Sequence, residues 1–205
     1  VPAAQPGSML NRLNPYLGPI EKCSCLGPTQ LPLPHFKTVL GTRFVVDAFK
    51  KGSVEGCKGY FLSHFHSDHY DGLSASWNAT GPIYCSAVTA RLVHLRLKVV
   101  SNHLKPLDMN RWISICDELR VFLVDANHCP GSVMFLFHKP ITNELYLHCG
   151  DCRAGPELLS DKFLQAAIGG RRLDVIYLDT TYCNPAHRFP CQVKVIEGCA
   201  ELVKT

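Results

Sequence analysis

Six consecutive residues, His64-Phe65-His66-Ser67-Asp68-His69, place three imidazoles and a carboxylate between the apolar run Tyr60-Phe61-Leu62 and the turn residues Tyr70-Asp71-Gly72. In an extended segment successive side chains alternate faces, so His64 and His66 point the same way and can bind one ion. Asp68 and His69 follow where the chain turns and can face a second ion beside the first. This is the residue content of a metal site.

Three further segments place acids or imidazoles where an apolar strand ends, the place where an α/β scaffold holds reactive groups on rigid supports. In Asp125-Ala126-Asn127-His128-Cys129-Pro130-Gly131 a strand runs into a Pro-Gly turn carrying His128. In Leu147-His148-Cys149-Gly150-Asp151 the glycine permits close backbone approach and Asp151 projects from the strand end. His148, just before it, is a further outer partner to watch. The third segment is Tyr177-Leu178-Asp179-Thr180-Thr181-Tyr182, with hydroxyls available either to a phosphate or to cap the turn. The remaining histidines, His35, His94, His103, His138 and His187, have no spaced partner and read as surface or satisfied core residues.

The elements that must position these groups are short. Strand-type runs cover Phe44–Phe49, Gly59–Ser63, Ile83–Cys85, Leu119–Ala126, Ser132–His138, Glu144–His148 and Asp174–Leu178. Ser86 caps a helix carrying Leu92, Val93, Leu95 and Leu97, and Gly155-Pro156-Glu157 opens one running through Leu158, Leu159, Phe163, Leu164 and Ile168. Val121–Val124 and Val133–Phe137 are apolar almost throughout, as sheets covered on both faces require. A layered α/β sandwich is expected.

With 205 residues, 46% hydrophobic and 19% charged, the chain is long enough for one domain with its own core. Residues 1–34 are rich in Pro and Gly without a sustained period and read as a linker or loosely packed lead-in. Lys and Arg outnumber Asp and Glu, 21 to 17, a net charge of +4 that is compatible with an anionic polymer as substrate. Arg91, Arg96, Lys98, Lys50, Lys51, Arg171 and Arg172 are the basic residues that could contact phosphate, or else plain solvated surface. Eleven scattered cysteines, an odd number, argue against a disulfide framework, and Cys149 and Cys152 read as buried small apolar groups. No signal-type opening and no run of about 18 apolar residues is present, so no membrane partner is expected and a reducing compartment, cytosol or nucleus, is.

Taken in this order, the segments resemble the β-CASP branch of the metallo-β-lactamase superfamily, specifically the DNA cross-link repair nucleases of the Artemis/Apollo family, nearest to its 5′-exonuclease members. The resemblance is carried by Gly41–Phe49, Tyr60–Leu73, Pro82–Ser86, Leu123–Gly131 and Tyr177–Cys183, so it extends over residues 41 to about 192. It implies a metallo-β-lactamase-type αββα sandwich over residues 35–190, with 191–205 as the start of a β-CASP region. It implies that His64, His66, His128 and Asp151 hold a first zinc, and that Asp68, His69 and the shared Asp151 hold a second ion, zinc or magnesium. Asp47 matches an acidic motif whose members orient ligands. Asp179 matches an acid close to the metals, and Asp47, Asp68, Asp151 and Asp179 form the catalytic set. In such a centre neutral imidazoles fix an ion without cancelling its charge, a bridging carboxylate holds two cations about 3.5 to 4 Å apart, and hydroxide attacks a phosphodiester at ordinary pH.

The resemblance implies a nuclear 5′-to-3′ exonuclease in interstrand cross-link and double-strand break repair, acting on a 5′-phosphorylated DNA strand alongside other repair proteins. An RNA-processing β-CASP nuclease and a non-catalytic metal-binding form are the alternatives. The closing half of the sandwich, with its last histidine ligand, has no counterpart here, so the chain is expected to be a truncated product, fragment or short isoform. Half a sandwich is expected to leave a sheet edge and an apolar face uncovered, favouring association.

Overall fold

The computed structural model describes residues 33–204; the lead-in expected over 1–34 lies, except for its last two residues, outside them. Among the described residues nine strands form two sheets. In the first, β1 (Phe44–Val46), β2 (Gly59–Phe61), β3 (Ile83–Ser86) and β4 (Leu104–Leu107) are all parallel and lie in that order. In the second, β5 (Trp112–Cys116), β6 (Leu119–Asp125), β7 (Val133–Lys139) and β8 (Glu144–His148) run antiparallel, and β9 (Val175–Tyr177) joins β8 in parallel. The helices are α1 (Ser67–Tyr70), α2 (Ala87–Leu97), α3 (Pro156–Leu159), α4 (Lys162–Ile168) and α5 (Gln192–Lys204).

The two-residue period of each strand sorts its side chains into three cores. Val121 and Leu123 of β6, Val133, Phe135 and Phe137 of β7, and Tyr146 of β8 face Phe44, Val46 and Phe61 of the first sheet. Phe61 sits 5.2 Å from Phe135 and 4.9 Å from Phe137 between ring centroids, which seals the space between the sheets. The alternate residues Phe122, Val124, Met134, Leu136, Leu145 and Leu147 face outward, where Leu164 of α4 covers them. On the far side Val45, Tyr60 and Leu62 lie under Ala90 and Val93 of α2 together with Phe49 and Trp77. Helix, sheet, sheet, helix is therefore the layer order, the αββα sandwich implied by the resemblance.

Several boundaries differ from the sequence reading. The Phe44–Phe49 run breaks at Asp47, whose φ of +50° lies in the left-handed region. The helix expected from Gly155 to Ile168 is two helices, because Asp161 caps a fresh start, its Oδ1 accepting the Leu164 amide at 2.7 Å. The sequence reading assigns no strand at β4 or β5. Leu104-Lys105-Pro106-Leu107 shows no alternation and contains a proline, tolerable because β4 is an edge strand. Trp112–Cys116 is the half-buried edge of the second sheet and is bulged between Ser114 and Cys116. Ser86 does cap α2: its Oγ accepts the Thr89 amide at 3.2 Å.

Strand direction is what matters for function. β1 and β2 are parallel, β8 and β9 are parallel, and β6 runs with β8 because both are antiparallel to β7. Asp47, the His64–His69 segment, His128, Asp151 and Asp179 follow the C-terminal ends of β1, β2, β6, β8 and β9, respectively. At that end the Val133 amide of the second sheet donates to the Ser63 carbonyl of the first at 3.0 Å, fixing one strand-end loop against the other.

Candidate metal centre

His64 is buried, at 0% exposure, three residues past the end of β2; the chain bends at Phe65 and is extended again at His66 before α1 begins at Ser67. The two imidazoles meet, with ring centroids 4.5 Å apart. His128 arrives from the other sheet on a tight turn in which the Ser132 hydroxyl accepts the amides of His128 and Cys129 at 3.3 and 3.1 Å. That turn is tied to the first sheet, because Ser86 Oγ and Thr89 Oγ1 both donate to the Gly131 carbonyl, at 2.6 and 3.0 Å. Asp151 follows Gly150, whose φ is +55° and whose missing Cβ would stand 2.9 Å from Ser63 Cβ. Glycine is required there on both counts.

The four groups converge. One ligand atom each from His64, His66, His128 and Asp151 lies within 4.8 Å of the others. His64 Nε2 is 2.9 Å from His66 Nδ1, and His128 Nε2 is 3.1 Å from the same Nδ1. Asp151 Oδ2 is 3.8 Å from His64 Nε2 and 3.6 Å from His128 Nε2. A tetrahedral ion with zinc-like bonds of about 2.0–2.1 Å has ligand-to-ligand edges of about 3.3 Å, and the four distances bracket that value. Imidazole nitrogens this close repel unless a proton or a cation lies between them. Burial, followed by the neighbouring imidazolium character of His69, pushes His64 down to about 3. It is therefore neutral at physiological pH, the state a metal requires.

A second group sits beside the first. His69 Nε2 is 3.1 Å from Asp151 Oδ1 and 3.5 Å from Asp68 Oδ2. Asp151 thus turns one oxygen to each set, the arrangement of a bridging carboxylate. The Asp68 side chain is 77% exposed, so this second set is the more open of the two.

Ser63, unassigned in the sequence reading, connects both sets to Asp47. Asp47 Oδ1 accepts the Ser63 amide at 2.8 Å, and Oδ2 accepts the Ser63 hydroxyl at 2.7 Å. With its hydrogen given to Asp47, Ser63 Oγ can only accept from His64 Nδ1, 3.0 Å away. The same Asp47 Oδ2 lies 2.8 Å from His69 Nδ1. Both imidazoles are therefore held with the proton on Nδ1 and the lone pair of Nε2 facing the centre. Burial of Asp47 favours the neutral acid, but hydrogen bonding and charge from His69 outweigh it and hold the carboxyl below its usual range. For His69 burial again opposes charge, while the bond to Asp47 and the charges of Asp47, Asp151 and Asp68 raise its pKa.

Asp179, expected as an acid near the metals and not among their ligands, lies outside the four-residue cluster; its Oδ2 accepts the Cys152 amide at 3.2 Å and its Oδ1 accepts the Thr181 amide and hydroxyl at 2.9 and 2.7 Å. It holds the residue next to Asp151, and Thr181 is occupied as a turn cap. His148 lines the same cleft as Asp151 but its hydrogen bonds go elsewhere: its Nε2 lies 2.7 Å from the Phe36 carbonyl and its Nδ1 accepts the Gly150 amide at 3.2 Å. It lies three residues before Asp151, so strand alternation does not put the two on one face. Of the two thiols, Cys149 is buried but Cys152 is half-buried, and a hydrogen bond from Cys149 holds Cys152 below its usual range. All cysteines among the described residues are free.

A cleft of about 410 Å³ opens onto Asp68, His69 and Asp151, with Lys37, Tyr177 and Thr180 on its other walls. None of the basic residues singled out in the sequence lines it; Lys50 pairs with Asp71 at 3.3 Å and Arg171 donates to the Asn143 carbonyl. No helix among the described residues is long and apolar enough to cross a membrane.

No family model matches the chain. Individual relatives do. It is 42% identical over 178 residues to DNA cross-link repair 1A protein of Mus musculus, covering 87% of this chain and 16% of that protein. It is also 42% identical over 173 residues to DNA cross-link repair protein SNM1 of Arabidopsis thaliana, covering 84% of this chain and 34% of the other. The chain is a homologue of the DNA cross-link repair proteins. The 5′ exonuclease Apollo of Gallus gallus belongs to the same set of relatives, at 42% identity over 164 residues, 80% of this chain and 34% of that one. The chain thus spans between about a sixth and a third of the length of these relatives.

Proposed function

We propose that this chain carries the metal centre of a DNA nuclease, a phosphodiester hydrolase working as a 5′ exonuclease on 5′-phosphorylated strands in cross-link repair, and so in the nucleus with other repair proteins. The observation that carries the reading is the convergence of three imidazole nitrogens on one oxygen of Asp151 while its other oxygen faces His69. On this reading residues 35–190 are metallo-β-lactamase domain and 191–205 begin a β-CASP region. His64, His66, His128 and Asp151 would hold zinc, and Asp68, His69 and Asp151 a second zinc or magnesium. Bound there, the metal supplies a strong positive field and hydroxide at neutral pH.

The chain's own residues set up that chemistry. Asp47 and Ser63 keep the Nε2 lone pairs of His64 and His69 free by holding the opposite nitrogens protonated. Asp179 and Gly150 fix the loop that presents Asp151. The cleft beside His69 gives a phosphate group access to the pair.

The test is metal analysis and cleavage together. The chain, stripped with chelator and reloaded with zinc or magnesium, is offered labelled single strands of DNA and RNA with and without a 5′-phosphate. Cleavage of 5′-phosphorylated DNA that is lost on chelation and in Asp151→Ala is expected. Preference for RNA, or cleavage that survives Asp151→Ala, would overturn the proposal.

A further inference from the structure

The cleft contains one cation that the metal ligands do not account for. Lys37 closes a 3₁₀ turn, His35–Lys37, and the following Thr38 bridges Val45 of β1, which seats the turn beside the strand that ends just before Asp47. The Lys37 ammonium donates to the main-chain oxygen of Asp47 at 2.5 Å and lines the cleft with Asp68, His69, Asp151 and Thr180. It forms no ion pair among the described residues. An ammonium has three donors, and the Asp47 carbonyl uses one. Lys37 is half-buried at the cleft wall, so its remaining donors are open to an anion that enters.

The other lysines do not share this placement. Lys50 sits on the surface against Asp71, 80% exposed, and Lys139 is matched by Glu144 at 2.7 Å. Around Lys37 the carboxylates already have work: Asp47 is held by Ser63 and His69, and Asp68 and Asp151 face His69. Once cations sit among those acids, the charge of Lys37 is the one left without an anion.

We propose that Lys37 is a phosphate-binding residue of this centre, its ammonium braced on the Asp47 carbonyl and contacting a non-bridging oxygen of a nucleic-acid phosphate seated in the cleft. This rests on the nuclease reading and adds a residue outside the ligand set. A compact point charge suits a phosphate oxygen, and phosphate contacts of this kind position the strand without reading its sequence.

The competing role is mechanical, since the same bond steadies Asp47 at its left-handed φ of +50°. Lys37→Gln keeps an N–H donor and removes the charge, whereas Lys37→Arg keeps the charge. Metal-loaded wild type and variants are titrated calorimetrically with inorganic phosphate and with thymidine 5′-monophosphate, at several salt concentrations, with metal content measured on the same samples. Lys105→Gln, an exposed site outside the cleft, is the charge control. Lys37→Gln should weaken binding about tenfold and lower the slope of log affinity against log salt by about 1. Lys37→Arg should recover most of the affinity, and metal content should stay at the wild-type level throughout. Equal binding by Lys37→Gln and wild type overturns the assignment, as does a loss of metal in Lys37→Gln, which would make the residue a brace. Wild type that holds metal but binds neither probe sinks the nuclease reading itself. Should Lys37→Gln fail to fold, the ammonium resonance of Lys37 in the wild-type chain decides: a shift on adding phosphate supports contact, and none overturns it.

Discussion

Replacing Asp47 by Asn keeps the shape of the side chain and changes only charge and hydrogen-bond sense. Oδ1 accepts the Ser63 amide at 2.8 Å, while Oδ2 accepts the Ser63 hydroxyl at 2.7 Å and His69 Nδ1–H at 2.8 Å. An amide has one oxygen to offer. If that oxygen takes the Oδ1 place, the NH2 group opposes His69 Nδ1, and relief comes only by moving the imidazole proton to Nε2, the atom that faces Asp68 and Asp151. The second site then loses a lone pair, and affinity for its ion should fall by about 10–100-fold, or roughly 1.4–2.7 kcal/mol. If the oxygen takes the Oδ2 place, the NH2 group opposes the buried Ser63 amide, and stability should fall by about 1–3 kcal/mol instead. For a domain of this size that is a drop in Tm of about 2–4 °C per kcal/mol. Zinc content after equilibrium dialysis and thermal unfolding of the metal-free chain separate the two outcomes. An Asp47→Asn chain matching wild type in both ion affinity and Tm would refute the claim that Asp47 orients the ligands.

Ser86→Ala removes the cap of α2 and one of two hydroxyls on the Gly131 carbonyl, so unfolding should cost about 1 kcal/mol less, read as a lower denaturation midpoint at unchanged slope. Gly150→Ala adds a Cβ at φ +55° within 2.9 Å of Ser63 Cβ; zinc affinity should fall at least tenfold while the circular dichroism spectrum is kept, and unchanged zinc binding would count against the packing argument. Without metal, the raised His69 pKa contributes stability that is full below the unfolded value of 6.5 and is lost as pH climbs through the higher folded value. The depressed Asp47 pKa contributes stability present above 3.8 and lost as pH falls through its lower folded value. His64, held near 3 in the folded chain, takes up its proton only on unfolding below 6.5 and so lowers stability as pH falls. Metal-free unfolding measured against pH should therefore show a maximum near 6.5 with a decline on either side, and zinc binding should release a proton from His69; a flat profile from pH 5 to 9 contradicts the assignment.

The residues that converge were legible because local chemistry is written locally. His64 and His66, two residues apart, bring their rings within 4.5 Å, and Ser86 caps α2 through a bond to an amide three residues on. The apolar runs of β6 and β7 announced strands covered on both faces, and the three cores show that cover. The half-buried edges β4 and β5 left no such pattern, because an edge strand packs on one side and tolerates proline or a bulge. His148 was the partner read differently: it lies three residues before Asp151, an odd separation that strand alternation places on opposite faces, and Gly150, with its positive φ, then redirects the chain toward Ser63.

By itself the sequence determined which residues can ligate and that strand ends present them, since side-chain chemistry and periodicity need no distant partner. Tertiary structure decided the rest: that Ser63 links Asp47 to His64, that Asp151 turns one oxygen to each set, and that Lys37 closes on the Asp47 carbonyl. Those contacts join residues of different strand ends, and only the pairing and stacking of two sheets sets the ångström-scale distances on which proton position and metal affinity depend.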